Sequence, residues 1–138
     1  MPVDQLINAQ GTFGNPATYG SFYQYYVASA TVAIGNAISI SPSATNAAIM
    51  NCAPAAVAAQ NVIGIAVSAG LAGSIIQVCI SGVCQGLAGA VALTANENLA
   101  VSGTGVLGAA SVTAGLNIAT ALEAIALSTL GYVFVAKN

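Results

Sequence analysis

Short apolar segments separated by turn-forming residues recur along most of this chain. In two of them the side chains alternate with a period of two, which is typical of half-buried strands. The alternations set Ile63, Ile65 and Val67 against Gly64, Ala66 and Ser68, and Ile76, Val78 and Ile80 against Gln77, Cys79 and Ser81. Similar segments are ATVAI, AISIS, AAIMNC, VCQGL, AVAL, LAV, GVLGAA, LNIATAL and YVFVA. Many short strands at near-regular spacing predict an all-β fold, either a small barrel or a sandwich.

The stretch from 62 to 93 contains no charged side chain, which raises the question of a membrane span. A span needs only about 20 predominantly apolar residues. A spanning helix is normally an unbroken run of Leu, Ile and Val with flanking basic residues and an aromatic belt. Here glycine, serine and glutamine interrupt the run at short intervals, and these residues punctuate strands and turns. We therefore predict strands in this stretch and no membrane partner.

Residues 1–28 are predicted to form an extended N-terminal arm that ends in an aromatic strand. The first twenty residues are rich in Gly, Asn, Thr and Gln, so their order depends on contacts made elsewhere. The following segment SFYQYYV carries aromatic side chains on both faces. Two interpretations are open. The segment is a core strand, because Tyr and Phe favour strands, or one of its aromatic faces contacts a partner protein. The candidate partner contacts are Phe13, Tyr19, Phe22, Tyr23, Tyr25 and Tyr26.

Residues 29–138 are expected to form the β domain, and they contain a weak internal echo. A shift of 55 positions sets residues 63–80 over residues 118–135 without a gap, and it matches Ile63 with Ile118 and Val78 with Val133. The echo is consistent with two related β halves. The alanine-rich ranges 53–59 and 121–127 are compatible with one short helix.

Composition narrows the class of protein further. Of the 138 residues 57% are hydrophobic and only 3% are charged, whereas ordinary domains carry roughly 25% charge. Such a chain is either dissolved in lipid or largely covered by neighbouring protein. Lys137 is the only basic side chain, so binding to a phosphate backbone through counterion release has no basis. We exclude nucleic acid as a direct partner.

The reactive side chains do not assemble into a recognisable catalytic or metal site. The chain has no His, which removes Ser-His-Asp and Cys-His arrangements and imidazole ligands. The spacing of the carboxylates Asp4, Glu97 and Glu123 does not suggest a catalytic dyad. We predict no enzymatic activity, no catalytic residue, no metal site and no cofactor.

The three cysteines leave two interpretations open. If Ser81 and Gly82 form a two-residue turn, Cys79 and Cys84 lie opposite each other on adjacent strands, close to the separation that a disulfide needs. The interpretation that we favour treats the cysteines as small buried apolar residues with free thiols. An odd count, with Cys52 as the third, suits a reducing compartment.

The C-terminal two thirds of the chain resemble the small decoration, or cement, proteins of tailed-phage heads. The resemblance covers residues 31–138 and rests on recurring short motifs: a (V/I)G(V/I)A strand, a small-residue turn, a V-x-(V/I)-x-G-V hairpin and a second A-L-E strand, ending in GYVFVAKN. It implies a compact β domain, usually a homotrimer, on the outer surface of the capsid. There it would clamp neighbouring copies of the major capsid protein and stabilise the expanded head.

From these features we expect a non-enzymatic capsid decoration protein, made in the host cytoplasm and located on the outer surface of the virion. Its expected partners are the major capsid protein and its own copies in a homotrimer. Two alternatives stay open at this stage. One is a small holin-like membrane protein with residues 62–93 spanning, and the other is a self-assembling fibre or surface-layer subunit, because uncharged strand edges invite pairing.

Overall fold

The computed structural model describes residues 21–43, 50–57, 59, 61–110 and 117–136. The regular elements within these ranges are β-strands, so the prediction of an all-β fold is confirmed. The strands are β1 (Phe22–Ala28), β2 (Ala37–Pro42), β3 (Met50–Pro54), β4 (Val62–Ala66), β5 (Ile75–Leu87), β6 (Asn98–Gly103), β7 (Val106–Ala109), β8 (Ala119–Ala121) and β9 (Leu130–Val135).

The first five strands close into a small barrel. Their order is β1-β3-β2-β4-β5, and a pairing between β1 and β5 closes the circle. The β1–β3 pair is parallel and the other pairs are antiparallel. Apolar side chains from all five strands fill the interior, among them Ile38, Cys52 and Ile76. The predicted alternation of Ile76, Val78 and Ile80 toward one side is confirmed, since all three belong to this interior cluster.

The remaining strands extend the sheet beyond the barrel. Strand β5 is 13 residues long, and its second half pairs with β9, which is followed in the sheet by β8, β6 and β7. A parallel bridge between Ala88 and Leu107 brings the end of β5 toward β7. The second core lies here and contains Leu99, Leu107 and Val133 among other buried side chains.

The hydrogen-bonding scheme of residues 22–80 occurs a second time in residues 82–135. The register pair Ile65 with Cys79 corresponds to Thr120 with Phe134, which lie 55 positions further along the chain. Before residue 37 the offset between equivalent residues is 60 or 61. Equivalent backbone pairs are Val32 and Gly70 with Leu93 and Ile125, Gly35 and Ala66 with Asn96 and Ala121, and Val67 and Gln77 with Leu122 and Tyr132. The left-handed turn residues Gly35 and Gly73 have their counterparts in Asn96 and Ser128. We call residues 22–80 the first unit and residues 82–135 the second unit.

The two units fill equivalent core positions with exchanged side chains. The first unit has Gly70 beside Ile76, and the second has Ile125 beside Gly131. A Cβ on Gly70 would lie 2.9 Å from Ile76 Cδ1, and a Cβ on Gly131 would collide with Ile125 Cγ1. Each unit therefore accommodates one large and one minimal side chain at this pair of positions, because close packing leaves no volume for two large ones.

A second exchange of the same kind involves β1 and its counterpart at the end of β5. Tyr26 and Cys52 pack in the barrel interior, where the second unit has Gly86 and Leu107. A Cβ on Gly86 would lie 2.6 Å from Leu107 Cδ1. The backbone pairing is thus repeated in both units. The large side chain comes from β1 in the first unit and from β7 in the second.

Three local expectations are wrong. Ser81 and Gly82 do not form a hairpin turn; they lie within the continuous strand β5, where the register against β1 shifts and Gly82 has a φ of +105°. Ile63 does not share a face with Ile65, because a bulge between β2 and β4 places the two side chains in different cores. Bulges and turns use the same residue types, so local sequence does not separate them.

The predicted short helix is also wrong wherever the structure describes the chain. Residues 53–54 belong to β3, and residues 121–127 contain the end of β8, a bend and the bridge between Leu93 and Ile125. Alanine favours helices, but a helix this short is marginal without tertiary support. Gly131, which precedes the predicted strand segment YVFVA and was expected to mark a turn, likewise lies inside a strand, β9.

The stretch from 62 to 93 contributes β4 and β5 to the barrel. Across the described residues, no helix has the length and apolar character needed to cross a membrane.

The glycine exchange leads to a test by a double-mutant cycle. We expect Gly131→Ala to destabilise the fold by about 1–3 kcal/mol, because the new methyl group collides with Ile125. Ile125→Ala alone should cost about 2–5 kcal/mol through the cavity that it creates. The double variant should lose clearly less than the sum, since the two changes compensate in one space. Urea unfolding measures all three; additivity within about 0.5 kcal/mol would contradict the exchange.

Candidate protein interface

The aromatic strand β1 divides its side chains between the interior and the surface. Phe22 and Tyr25 are 65% and 67% exposed, whereas Tyr23 and Tyr26 are half-buried. Tyr26 packs in the barrel interior and Tyr23 packs against the second core. The core interpretation of SFYQYYV therefore holds for Tyr23 and Tyr26, whereas Phe22 and Tyr25 are exposed and stay candidates for contact with a partner. Of the other candidate contacts, Phe13 and Tyr19 lie outside the described residues.

The exposed side of β1 continues onto β5 and forms an uncharged patch. The register pairs Tyr25 with Gln77 and Val27 with Ile75. Ile75 is 68% exposed, and Gln77 Nε2 donates a hydrogen bond of 3.4 Å to the Tyr25 hydroxyl. We call these four residues the first patch. It combines two aliphatic side chains with a tyrosine and an amide, which is a composition suited to contact with another protein.

The second unit carries an equivalent patch. The register pairs Gln85 with Tyr132 and Leu87 with Leu130. Leu130 and Tyr132 are 41% and 40% exposed, and the neighbouring Phe134 is 42% exposed. We call Gln85, Leu87, Leu130 and Tyr132 the second patch. Sequence reasoning missed it, because LGYVFV has apolar or aromatic residues at every position except Gly131, and the alternation of exposed and buried positions is seen only in the structure.

Side-chain acceptors stabilise the backbone next to both patches at equivalent positions. The Ser68 hydroxyl accepts a hydrogen bond of 2.9 Å from the backbone N–H of Gln77. The Glu123 carboxylate accepts one of 2.8 Å from the backbone N–H of Tyr132. In the preceding turns, Asn36 Oδ1 and Glu97 Oε1 accept hydrogen bonds of 2.9 Å from Ala33 and Thr94. The two described glutamates thus both accept hydrogen bonds from backbone N–H groups.

The three thiols are free and buried, and they are divided between the two cores. Cys52 belongs to the barrel interior, where burial raises the pKa of its thiol. Cys79 and Cys84 both lie in β5, and Cys79 Sγ donates hydrogen bonds of 3.5 Å and 3.9 Å to the carbonyls of Ser81 and Gly82. Interaction between the two thiols lowers the pKa of Cys79 and raises that of Cys84, and burial adds to the rise at Cys84. The cores separate Cys52 from the other two, so the three thiols do not form a common site.

A cavity of about 310 Å³ lies beside the β6–β7 hairpin. Its lining is small and aliphatic apart from two polar side chains, Ser102 and Glu97. The Glu97 carboxylate is already hydrogen-bonded to the backbone and the hydroxyl of Thr94. The cavity therefore offers few free polar groups to a ligand. Among the described residues, the pair of exposed patches is the better candidate site, because it offers apolar surface for contact with another protein.

Comparison with solved structures relates the fold to a known one. No protein-family model matches the chain, and no curated protein matches it. Among solved structures, the chain is similar to the N base of the head fiber protein gp8.5 of bacteriophage phi29. The match has a TM-score of 0.63 and 17% sequence identity, and it covers 84% of this chain and 94% of that chain. At this identity the likeness establishes a shared fold.

Burial of the cysteines predicts that the native protein resists thiol reagents. Cys52, Cys79 and Cys84 are 1%, 0% and 5% exposed, so Ellman's reagent should react with none of them in the folded state. The same sample unfolded in guanidinium should release three equivalents, which provides the control. Rapid reaction of one thiol in the native protein would contradict the placement of that cysteine.

Proposed function

We propose that this chain is a non-enzymatic structural protein of a tailed-phage head. In this role it binds the outer surface of the major capsid protein lattice and stabilises the expanded shell, and it is located on the virion. The observation that carries the proposal is the shared fold with the N base of a phage head fiber protein, over most of both chains.

The surface of the described chain supports this role. Its exposed large apolar residues include Phe22, Tyr25, Ile75, Leu130 and Phe134, all on the outer side of the sheet. The exposed strand faces bear few charges, because the entire chain has only four charged side chains. A protein that remains on an assembled lattice can bury such side chains permanently against its neighbours, and burial stabilises by about 25 cal/mol per Å² of apolar surface.

The proposed partners are the major capsid protein and further copies of the chain in a homotrimer. The attachment surface includes Phe22 and Tyr25, which are exposed on β1. Tyr23 and Tyr26 support that surface from beneath, because they pack into the two cores. Residues 1–20 provide an additional contact in this proposal.

The direct test mixes the purified protein with undecorated shells of the phage that encodes it. We expect occupancy at fixed lattice positions in electron cryomicroscopy images. Affinity should change by less than about twofold between 50 mM and 500 mM salt, because screening acts on charges and the proposed contact has almost none. Empty lattice positions, or binding that salt abolishes, would contradict the proposal.

A deletion tests the contribution of the N-terminal segment. Removing residues 1–20 leaves every described strand in place, so the barrel should still fold. The deletion should weaken shell binding at least about tenfold, because a linked second contact adds strongly to the first. Unchanged affinity would remove residues 1–20 from the attachment mechanism, while shell binding through β1 would stand. Circular dichroism and unfolding of the truncated chain provide the control.

A further inference from the structure

We propose that the first and second patches are two equivalent contact sites, which bind two neighbouring like subunits of the capsid shell. This inference rests on the proposed function and specifies how attachment occurs. Each chain would then act as a bridge across a subunit boundary, with one unit on each side.

The equivalence of the patches follows from the strand register. Ile75 and Leu130 open the equivalent strand segments, and they pair with Val27 and Leu87. Two positions further along, the tyrosine–glutamine pair recurs with its members exchanged. Tyr25 on β1 faces Gln77 on β5, whereas Gln85 on β5 faces Tyr132 on β9. Each patch therefore presents one tyrosine, one glutamine and two aliphatic side chains in the same places.

The chemical set is retained on the surface although the core beneath it is rearranged. At the adjoining core positions, Tyr26 and Ile76 of the first unit correspond to Gly86 and Gly131 of the second. Packing explains such exchanges, because only the summed volume must be kept. Packing does not require that two exposed patches keep a tyrosine, a glutamine and two aliphatic residues. A common type of binding surface accounts for the retained set.

The size of the patches favours a partner that presents its surface repeatedly. Four partly exposed side chains fall short of the roughly 800 Å² that one partner contributes to a standard interface. Two such contacts on one rigid chain reinforce each other, since the second forms at high effective concentration once the first exists. The patches lie on the two halves of β5, with Gln77 in the first half and Gln85 in the second, so one continuous strand holds them at a fixed separation. A shell built from repeated copies of one subunit presents the same surface more than once to such a chain.

The chemistry of the patches defines the surface that they bind. Neither patch contains a charged side chain, and the Glu123 carboxylate beside the second patch is already hydrogen-bonded to the backbone N–H of Tyr132. The contacted area of the capsid subunit should therefore be neutral and largely apolar, with amide or hydroxyl groups opposite the tyrosine–glutamine pairs. A charged contact area would lose its hydration without gaining a partner charge.

The experiment compares Ile75→Glu, Leu130→Glu and the double variant in the shell-binding assay. Both side chains are exposed, so each variant should fold, and thermal unfolding followed by circular dichroism checks this. Val91→Glu is the matched control, because Val91 is 72% exposed and outside both patches. We expect each single variant to weaken binding at least about tenfold and by similar factors. With only one patch intact, binding no longer gains from a second contact that forms at high effective concentration. The double variant should lose binding, and the control should bind like the wild type.

The outcomes separate the inference from the proposed function. If the wild type does not bind shells, the proposed function fails and the inference fails with it. If the wild type binds and either single variant binds equally well, bridging by two patches is wrong while the proposed function stands. Light scattering detects a further outcome, in which the variants change the oligomeric state but not shell affinity; the patches would then join copies of this chain, and the inference would be overturned.

Discussion

The fold depends on the single long strand β5, which belongs to both units. Its first half is hydrogen-bonded to β1 and β4 and closes the barrel, and its second half is hydrogen-bonded to β9. Edge groups of a strand are unsatisfied until a neighbour pairs with them, so each half of β5 requires the strands around it. The bulge near Gly82 lets one strand serve two packing environments, because a bulge bends the strand and increases its twist. Because both cores are built on β5, neither core can unfold without disturbing the hydrogen bonds of the other.

Apolar packing, supported by backbone hydrogen bonds, has to supply most of the stability of this chain. It has four charged side chains, and both described glutamates accept hydrogen bonds from backbone N–H groups, Glu97 from Thr94 in a turn and Glu123 from Tyr132 in β9. The interior must therefore be filled closely, and the glycine exchanges show how this is achieved twice with different side chains. Where Ile76 occupies space in one unit, Ile125 occupies the adjoining space in the other, with glycine opposite in each case. Equal backbone geometry thus does not require equal residues.

The small number of charged side chains also links the fold to the proposed role. Electrostatic steering and salt bridges give many protein complexes their speed and register. A chain without charged patches has to rely on shape, apolar area and the polar tips of tyrosine and glutamine instead. Such contacts are modest singly, and they become effective when several copies engage a repeating surface. Rigid strands suit this mode of attachment, because they place exposed side chains at fixed spacings without ordering flexible loops.

Local pattern was sufficient to predict the class of fold, because the alternation of side chains reflects the pleat of a strand directly. It did not place every turn, since Ser81 and Gly82 lie inside β5. The weak internal repeat between residues 63–80 and 118–135 was also detectable in the sequence, since equivalent interior positions must be apolar. Barrel closure was not visible, because it depends on β1 reaching β5 across some fifty residues. The tertiary structure also decided that Ser81 and Gly82 lie inside a strand beside a register shift, since the strands on either side of β5 stabilise an extended path. Finally, it decided which aromatic residues are exposed: Tyr25 and Tyr26 are neighbours of equal hydrophobicity, and only the position of the barrel interior distinguishes them.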